Sequence, residues 1–108
     1  MIKDYYSFIK KHIEKHGSLE LTVHGNSMLP TIKDGERVTI IPKSRYSNDD
    51  IIAYVLHQNP LSIVVHRIIV DRGTSFFVKG DNNNFVDKIV TFDKILGVVE
   101  IKGDKNET

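Results

Sequence analysis

The residue of this sequence best placed to act as a nucleophile is Ser27, in the segment 24–31. The segment follows a short apolar run, and a Gly-Asn pair that tolerates positive φ directly precedes the serine. Pro30 lacks an N–H and prevents the turn from continuing as a long helix. The sequence therefore predicts a hydroxyl held on a stiff bend at the end of a strand. Hydrolases present a nucleophile in this way, although many ordinary turns have the same composition.

A serine nucleophile needs a base, and His66 is the histidine whose surroundings suit that role best. It lies in residues 63–70, a run that is apolar on both faces of the predicted strand. On that strand His66 shares its face with Val64 and Ile68. Burial favours a neutral imidazole, which can accept a proton, but costs free energy unless the ring has a hydrogen-bond partner. The alternative is a core histidine that bonds a backbone carbonyl.

Two aspartates downstream could orient that histidine, Asp81 and Asp87. Asp81 lies in the turn-rich segment 79–84, whose Asp and Asn side chains could instead bond their own backbone. The oxygen ligands there do not have the spacing of an EF-hand, and the sequence contains no zinc or phosphate-loop motif. We therefore expect no metal and no cofactor.

Size and composition limit the classes of function. The chain has 108 residues, 40% hydrophobic and 27% charged, which fits one globular domain with its own core. Its formal net charge of +1 is too small to indicate nucleic acid as a partner. The sequence has no cysteine, which excludes thiol catalysis, disulfides and thiolate metal sites.

No apolar run approaches the ~18 residues that span a bilayer, and the N-terminus lacks the continuous apolar segment of a signal peptide. We therefore predict a cytoplasmic protein. Residues 2–16 place apolar side chains at helical spacing among several lysines. We expect this helix to pack on the domain, and it is the one segment that could instead contact a membrane surface or dock a peptide.

The rest of the chain reads as short strands joined by turns. The strand-like runs are residues 19–23, 37–41, 51–56, 61–70, 74–78 and 95–101. This pattern predicts a mainly β barrel or sandwich with one N-terminal amphipathic helix. We place the helix in residues 1–17, the β domain in 18–102 and a flexible tail in 103–108.

Taken together, the segments resemble the signal peptidase I superfamily, which also contains the self-cleaving SOS and phage repressors. The resemblance covers residues 19–101. Six ordered segments carry it, with the nucleophile in the first and the general base in the fourth: 25–31, 34–38, 50–54, 65–69, 79–83 and 95–99. It implies a coiled β-barrel of the signal-peptidase catalytic-domain type.

The general-base segment places the chain closest to one branch of that superfamily. Bacterial signal peptidases and the repressors carry lysine where this chain has His66, so the resemblance is to the endoplasmic-reticulum and sporulation-type Ser-His branch. In that branch a further aspartate completes the site, and Asp87 corresponds to it. The resemblance thus implies Ser27, His66 and Asp87 as catalytic residues, with Asp81 as the alternative acid.

The chain also departs from the family pattern at two points. Gly25 stands where many signal peptidases have a serine that assists the oxyanion hole, which leaves the backbone N–H of Ser27 as the main donor. No transmembrane anchor is evident, so a separate peptide is the expected substrate. Met28 and Leu29 are expected to line its apolar binding site. Self-cleavage is disfavoured, because the family prefers small residues at the scissile bond and the one alanine, Ala53, lies in a predicted strand.

The leading hypothesis is therefore a serine endopeptidase that cleaves a peptide or precursor protein, for example the leader of a modified peptide. The alternative is a peptide-binding module of the same fold with weak or no catalytic activity. A DNA-linked regulator is disfavoured, because residues 1–16 are too short for a helix-turn-helix.

Overall fold

The computed structural model describes residues 5–87 and 89–101, and these form a mainly β fold with one N-terminal helix, as predicted. The elements are α1 (Tyr5–His16), β1 (Leu19–Thr22), β2 (Arg37–Ile41), β3 (Ile51–Gln58), β4 (Leu61–Asp71), β5 (Ser75–Lys79), β6 (Ile89–Thr91), a 3₁₀ helix (Phe92–Lys94) and β7 (Ile95–Ile101).

The helix α1 packs its apolar stripe on the sheet. Ile13 is buried, and Tyr6 and Ile9 are half-buried against the same core. The helix ends where Gly17, at φ +81°, donates its N–H to the carbonyl of Ile13 at 2.6 Å. In residues 5–87 and 89–101 no helix is both long and apolar enough to cross a bilayer. The predicted tail, residues 103–108, lies outside the described residues, and the domain limits remain a prediction.

The seven strands form one antiparallel sheet in the order β1-β2-β7-β3-β4-β5-β6. The strands β2 and β7 have the predicted bounds, while β3 extends two residues further toward its turn with β4, and β4 ends one residue later than predicted, at Asp71. The edge strand β6 was not predicted. It has three residues, of which Val90 alone is buried, so its sequence lacks a pattern long enough to indicate a strand.

The sheet is not closed, so the predicted barrel is wrong in that respect. Its two edges are β1 and β6. Three strands lie between β1 and β4 in the order, yet residues of both border one groove, so the sheet curls strongly. The strand β1 is short, and among the described strands it pairs with β2 and not with β4. The curl therefore leaves an open gap between them.

The sheet buries apolar side chains on both faces. The first core contains Ile13, Val23, Met28, Ile32, Val38, Ile40, Ala53, Val55, Leu96 and Val99, and the second contains Tyr46, Ile52, Tyr54, Ile68, Phe76, Val78, Val90 and Ile95. Alternate residues of β3 enter each core, which explains its unbroken apolar run. His66 pairs in register with Ile52, at the end of the second core.

Candidate active site

Ser27 lies on a turn that is anchored on both sides. Before it, Gly25 adopts φ +90° and donates its N–H to the carboxylate of Asp34 at 2.7 Å. After it, the N–H of Ile32 donates to the carbonyl of Met28 at 2.9 Å, and both side chains are almost fully buried. Positive φ suits glycine, so Gly25 produces the predicted bend. The serine is therefore presented by a braced turn.

The loop formed by residues 80–83 holds the serine turn from the other side. The N–H of Asn82 donates to the carbonyl of Ser27 at 2.8 Å, and its side-chain amide donates to the carbonyl of Asn26 at 3.1 Å. The N–H of Ser27 makes no hydrogen bond to any residue within 5–87 and 89–101. The carbonyl group of Ser27 is thus held in place, while its N–H is available to a ligand.

His66 faces this serine. The ring is 8% exposed, and its Nε2 lies 3.1 Å from the hydroxyl oxygen of Ser27. Tyr54 on the neighbouring strand β3 packs edge-on against it, with ring centroids 6.4 Å apart. The distance between Nε2 and the hydroxyl is within hydrogen-bond reach, so the fold brings together the two groups that the sequence singled out.

Asp87 contacts the other ring nitrogen of His66, Nδ1. Its own N–H donates to the carbonyl of Val78 at 2.8 Å, which holds the aspartate beside β5. An ionised carboxylate only accepts hydrogen bonds, so this contact favours the tautomer with its proton on Nδ1, in which Nε2 can accept a hydrogen bond from Ser27. The three side chains therefore lie one after another, with Asp87 against Nδ1 of His66 and Ser27 within hydrogen-bond distance of Nε2.

Asp81, the alternative acid, has different partners. It accepts two hydrogen bonds from Arg67, each at 2.8 Å, and one from Thr31 at 2.5 Å. The hydrogen bonds of Arg67, with a further contribution from Thr31, lower the pKa of Asp81. Asp81 thus connects β4 to the serine turn. In residues 5–87 and 89–101 no group of three or more side chains is arranged to hold a metal ion.

The sequence analysis did not identify Arg67 as the partner of Asp81. The signal was present, because an arginine inside an apolar strand requires a counter-charge when it is partly buried. Its position next to His66 places it on the opposite face of β4.

Tyr54 forms a neutral wall beside His66. It is 3% exposed, and burial together with the nearby negative charge of Asp87 raises the pKa of Tyr54 to about 12. The hydroxyl therefore remains protonated at neutral pH and adds no charge to the surroundings of the ring.

A groove of about 500 Å³ opens in front of Ser27 and His66. Its apolar walls are formed by Leu21, Leu61, Ile63, Val64 and Val65, and its rim includes His24 and Asn83. Met28 is 1% exposed and packs in the first core, and neither it nor Leu29 borders the groove. The contact of these two residues with a substrate stays a prediction, and this geometry supports other residues for that role.

Two unpaired strand edges border the groove. Among the described strands, β1 pairs only with β2, and the pairing of β4 with β5 begins at Arg67, which leaves residues 61–65 of β4 paired with β3 on one side. Unpaired edges offer backbone N–H and C=O groups to an added strand. The groove is therefore suited to a peptide in extended conformation.

A comparison with protein families shows to which family the chain is related. Residues 1–100 match the Peptidase S24-like family. The chain belongs to this family. Among curated proteins, no significant match to the sequence was found. Membership in the Peptidase S24-like family implies a serine peptidase family that acts on proteins or peptides. The resemblance to the signal peptidase and repressor superfamily is confirmed at this level, and the Ser-His branch stays a prediction.

Proposed function

We propose that this protein is a serine endopeptidase in which Ser27 is the nucleophile, His66 the general base and Asp87 the acid that orients it. The observation that carries this proposal is the distance of 3.1 Å between the Ser27 hydroxyl oxygen and Nε2 of His66. The contact of Asp87 with Nδ1 supports the same assignment, because it leaves Nε2 free to accept a proton.

In the proposed reaction, the Ser27 oxygen attacks the substrate carbonyl carbon while its proton passes to Nε2 of His66. The imidazolium then gives this proton to the leaving amine as the carbon–nitrogen bond breaks, which leaves an ester on Ser27. Water attacks the ester with His66 again as base, and the proton returns to the serine oxygen. Asp87 accepts from Nδ1–H throughout and stabilises the imidazolium, and the free N–H of Ser27 donates to the oxyanion.

The proposed substrate is a separate peptide or precursor protein, bound in extended form in the groove between β1 and β4. The unpaired edges of both strands support this, as do the apolar walls, which suit small or aliphatic side chains at alternate positions. A leader peptide removed from a precursor is the substrate class that the resemblance favours. The histidine at position 66 supports placing the protein in the Ser-His branch.

The first test is cleavage of a peptide library derived from a proteome, with the new termini identified by mass spectrometry. We expect the native chain to cut at a restricted set of sites and Ser27→Ala to cut at none of them. Ser47→Ala is the matched control, because Ser47 is exposed and does not border the groove. Equal cleavage by the native chain and Ser27→Ala would refute the assignment of the nucleophile.

A second test uses the dependence of the two side chains on each other. When two residues act as one unit, activity falls little further when both are replaced than when one is replaced. We therefore expect Ser27→Ala, His66→Ala and the double variant to have comparably low kcat. Losses that multiply in the double variant would show that the two side chains act separately.

A peptide-binding module without turnover is the second candidate. It is favoured by the single backbone donor available to an oxyanion and by the absence of a side chain at Gly25. Under this alternative, library peptides bind to both the native chain and Ser27→Ala, and neither protein cuts them. Titration of both proteins with the same peptides therefore separates the two functions.

A further inference from the structure

The proposed reaction places negative charge on the substrate oxygen, and the site as described offers it one donor, the N–H of Ser27. Serine hydrolases generally stabilise this charge with more than one donor. Gly25 cannot contribute a side-chain group, so a second donor must come from another part of the groove. The inference below rests on the proposed function.

Asn83 is the side chain best placed to supply it. It is half-buried and borders the groove together with Ser27 and His66. Its backbone is held on both sides: its N–H donates to the carbonyl of Gly80 at 2.9 Å, and its carbonyl accepts from the ammonium of Lys79 at 2.7 Å. The neighbouring Asn82 connects the same loop to the carbonyl of Ser27. The Asn83 side chain therefore extends from a loop that is tied to the nucleophile turn.

The absence of a side chain at Gly80 allows the amide and the serine to approach each other. A Cβ on Gly80 would lie 2.8 Å from Nδ2 of Asn83, 3.0 Å from Cβ of Ser27 and 2.6 Å from the Ser27 carbonyl oxygen. The amide nitrogen and the serine side chain thus border the same methyl-sized space. The amide makes no hydrogen bond to any residue within 5–87 and 89–101, so its N–H groups remain available.

We propose that the side-chain amide of Asn83 donates a hydrogen bond to the substrate oxygen in the transition state, as the second oxyanion donor beside the N–H of Ser27. Asn83 is then a catalytic residue, and the loop 80–83 has two roles. Asn82 holds the serine peptide group, and Asn83 contacts the reacting carbonyl.

The proposal is tested by steady-state kinetics on a peptide that the native chain cleaves. Loss of one oxyanion donor lowers kcat by about 10²- to 10³-fold. We expect this loss in Asn83→Ala with KM nearly unchanged, and an equal or larger loss in Asn83→Asp, which keeps the side-chain shape but introduces negative charge. The matched control is Asn84→Ala, because Asn84 is exposed and does not border the groove. If Asn83→Ala fails to fold, Asn83→Asp gives the same comparison.

A peptide aldehyde with the sequence before the scissile bond provides a second readout. The Ser27 oxygen bonds to the aldehyde carbon, its proton passes to His66, and the aldehyde oxygen becomes the oxyanion. We expect Asn83→Ala to weaken inhibition by the aldehyde about as much as it lowers kcat, with inhibition by the matching peptide alcohol unchanged.

The outcomes separate this inference from the proposed function. If the native chain cleaves peptides and Asn83→Ala has the kcat of Asn84→Ala, or differs in KM alone, the role of Asn83 is refuted while the proposed function stands. If the native chain neither cleaves nor forms an adduct with the aldehyde, both are refuted.

Discussion

The surroundings of His66 suit one of its two neutral tautomers. The Asp87 carboxylate contacts Nδ1, and the Ser27 hydroxyl lies 3.1 Å from Nε2. With the proton on Nδ1, both contacts are favourable and the serine proton has an acceptor. With the proton on Nε2, the carboxylate would face a lone pair, and the ring could not accept from the serine. In the proposed reaction, Asp87 therefore acts through the position of one proton.

We predict that Asp87→Asn lowers kcat by about 10³-fold or more, because an amide can donate to Nδ1 and favour the wrong tautomer. The measurement is kcat on a cleaved library peptide, with the unfolding temperature as a check on folding. The control is Asp49→Asn, since Asp49 is exposed, has positive φ that asparagine tolerates, and does not contact His66. A kcat for Asp87→Asn close to that of this control would contradict the role of Asp87.

The positions of Ser27, His66 and Asp87 could be proposed from the sequence because each has a local signal. The sequence alone shows the composition of the turn, the apolar strand around the histidine and the order of the segments. Met28 and Asn83 also lie in two of the ordered segments, but these segments do not show where either side chain points. Met28 turns inward because its turn packs on the first core, and Asn83 reaches the groove because Gly80 leaves space. Both depend on contacts between distant segments.

At the scale of elements, one charged pair connects β4 to the serine turn. Arg67 lies on β4, Asp81 in the loop 80–83 and Thr31 at the end of the turn that carries Ser27. Both charged side chains are mostly buried, with 27% and 16% of their surfaces exposed. Removal of one member would leave the other without its partner, which costs more than the pair contributes.

We predict that Asp81→Asn lowers the free energy of unfolding at pH 7 by about 1–3 kcal/mol, the usual cost of losing hydrogen bonds to a charged group. The pair lowers the pKa of Asp81 below its ordinary value of 3.8 in the folded chain. Its contribution is therefore complete above that value and is lost as the pH falls through the lower folded pKa.

Urea unfolding of the native chain and Asp81→Asn over a series of pH values measures this contribution. The difference between the two proteins is expected to be largest at neutral pH and to shrink below pH 3.8. A difference that stays constant into acid, or grows there, would show that the charge of Asp81 is not what stabilises the contact.

The strands β2 and β7 approach each other unusually closely at Gly97. A Cβ at this position would lie 2.6 Å from both the carbonyl carbon and the carbonyl oxygen of Ile41, which are backbone atoms and cannot move independently. We predict that Gly97→Ala lowers the free energy of unfolding by about 1–3 kcal/mol through overpacking. Thermal unfolding measures the loss, and activity per folded molecule is expected to be unchanged. An unfolding temperature equal to that of the native chain would contradict the prediction.

The elements with strong periodicity were predictable, and their arrangement was less so. The strands β2 and β7 have the predicted bounds because a proline and a turn limit them sharply. The edge strand β6 exists because Phe76 and Phe77 of β5 offer it a partner, a long-range cause that three residues cannot reveal. The sheet stays open because β1 and β4 do not pair with each other. The periodicity of a sequence does not indicate which distant strands will pair.

At the scale of the whole molecule, the curl of the sheet places β1 and β4 on either side of the groove. We predict that a bound peptide slows amide hydrogen exchange at residues 21–22 of β1 and 61–65 of β4, because it would accept hydrogen bonds from backbone N–H groups along these edges. The measurement is hydrogen exchange of Ser27→Ala with and without a library peptide that the native chain cleaves. The edge strand β6, residues 89–91, is the internal control.

Protection at β6 equal to that at β1 and β4 would indicate general stabilisation rather than strand addition. Protection at neither site of the groove, with the peptide bound, would show that the peptide lies elsewhere.

The candidate site is assembled from side chains that are far apart along the chain. His66 follows Ser27 by 39 residues, and Asp87 comes later than both. Under the proposed function, the site is complete only when the turn of Ser27, the strand β4 and the segment that carries Asp87 have come together. A nascent chain that has emerged from the ribosome only as far as β4 would carry the proposed nucleophile and base without the orienting acid. We therefore expect such a chain not yet to be a complete peptidase.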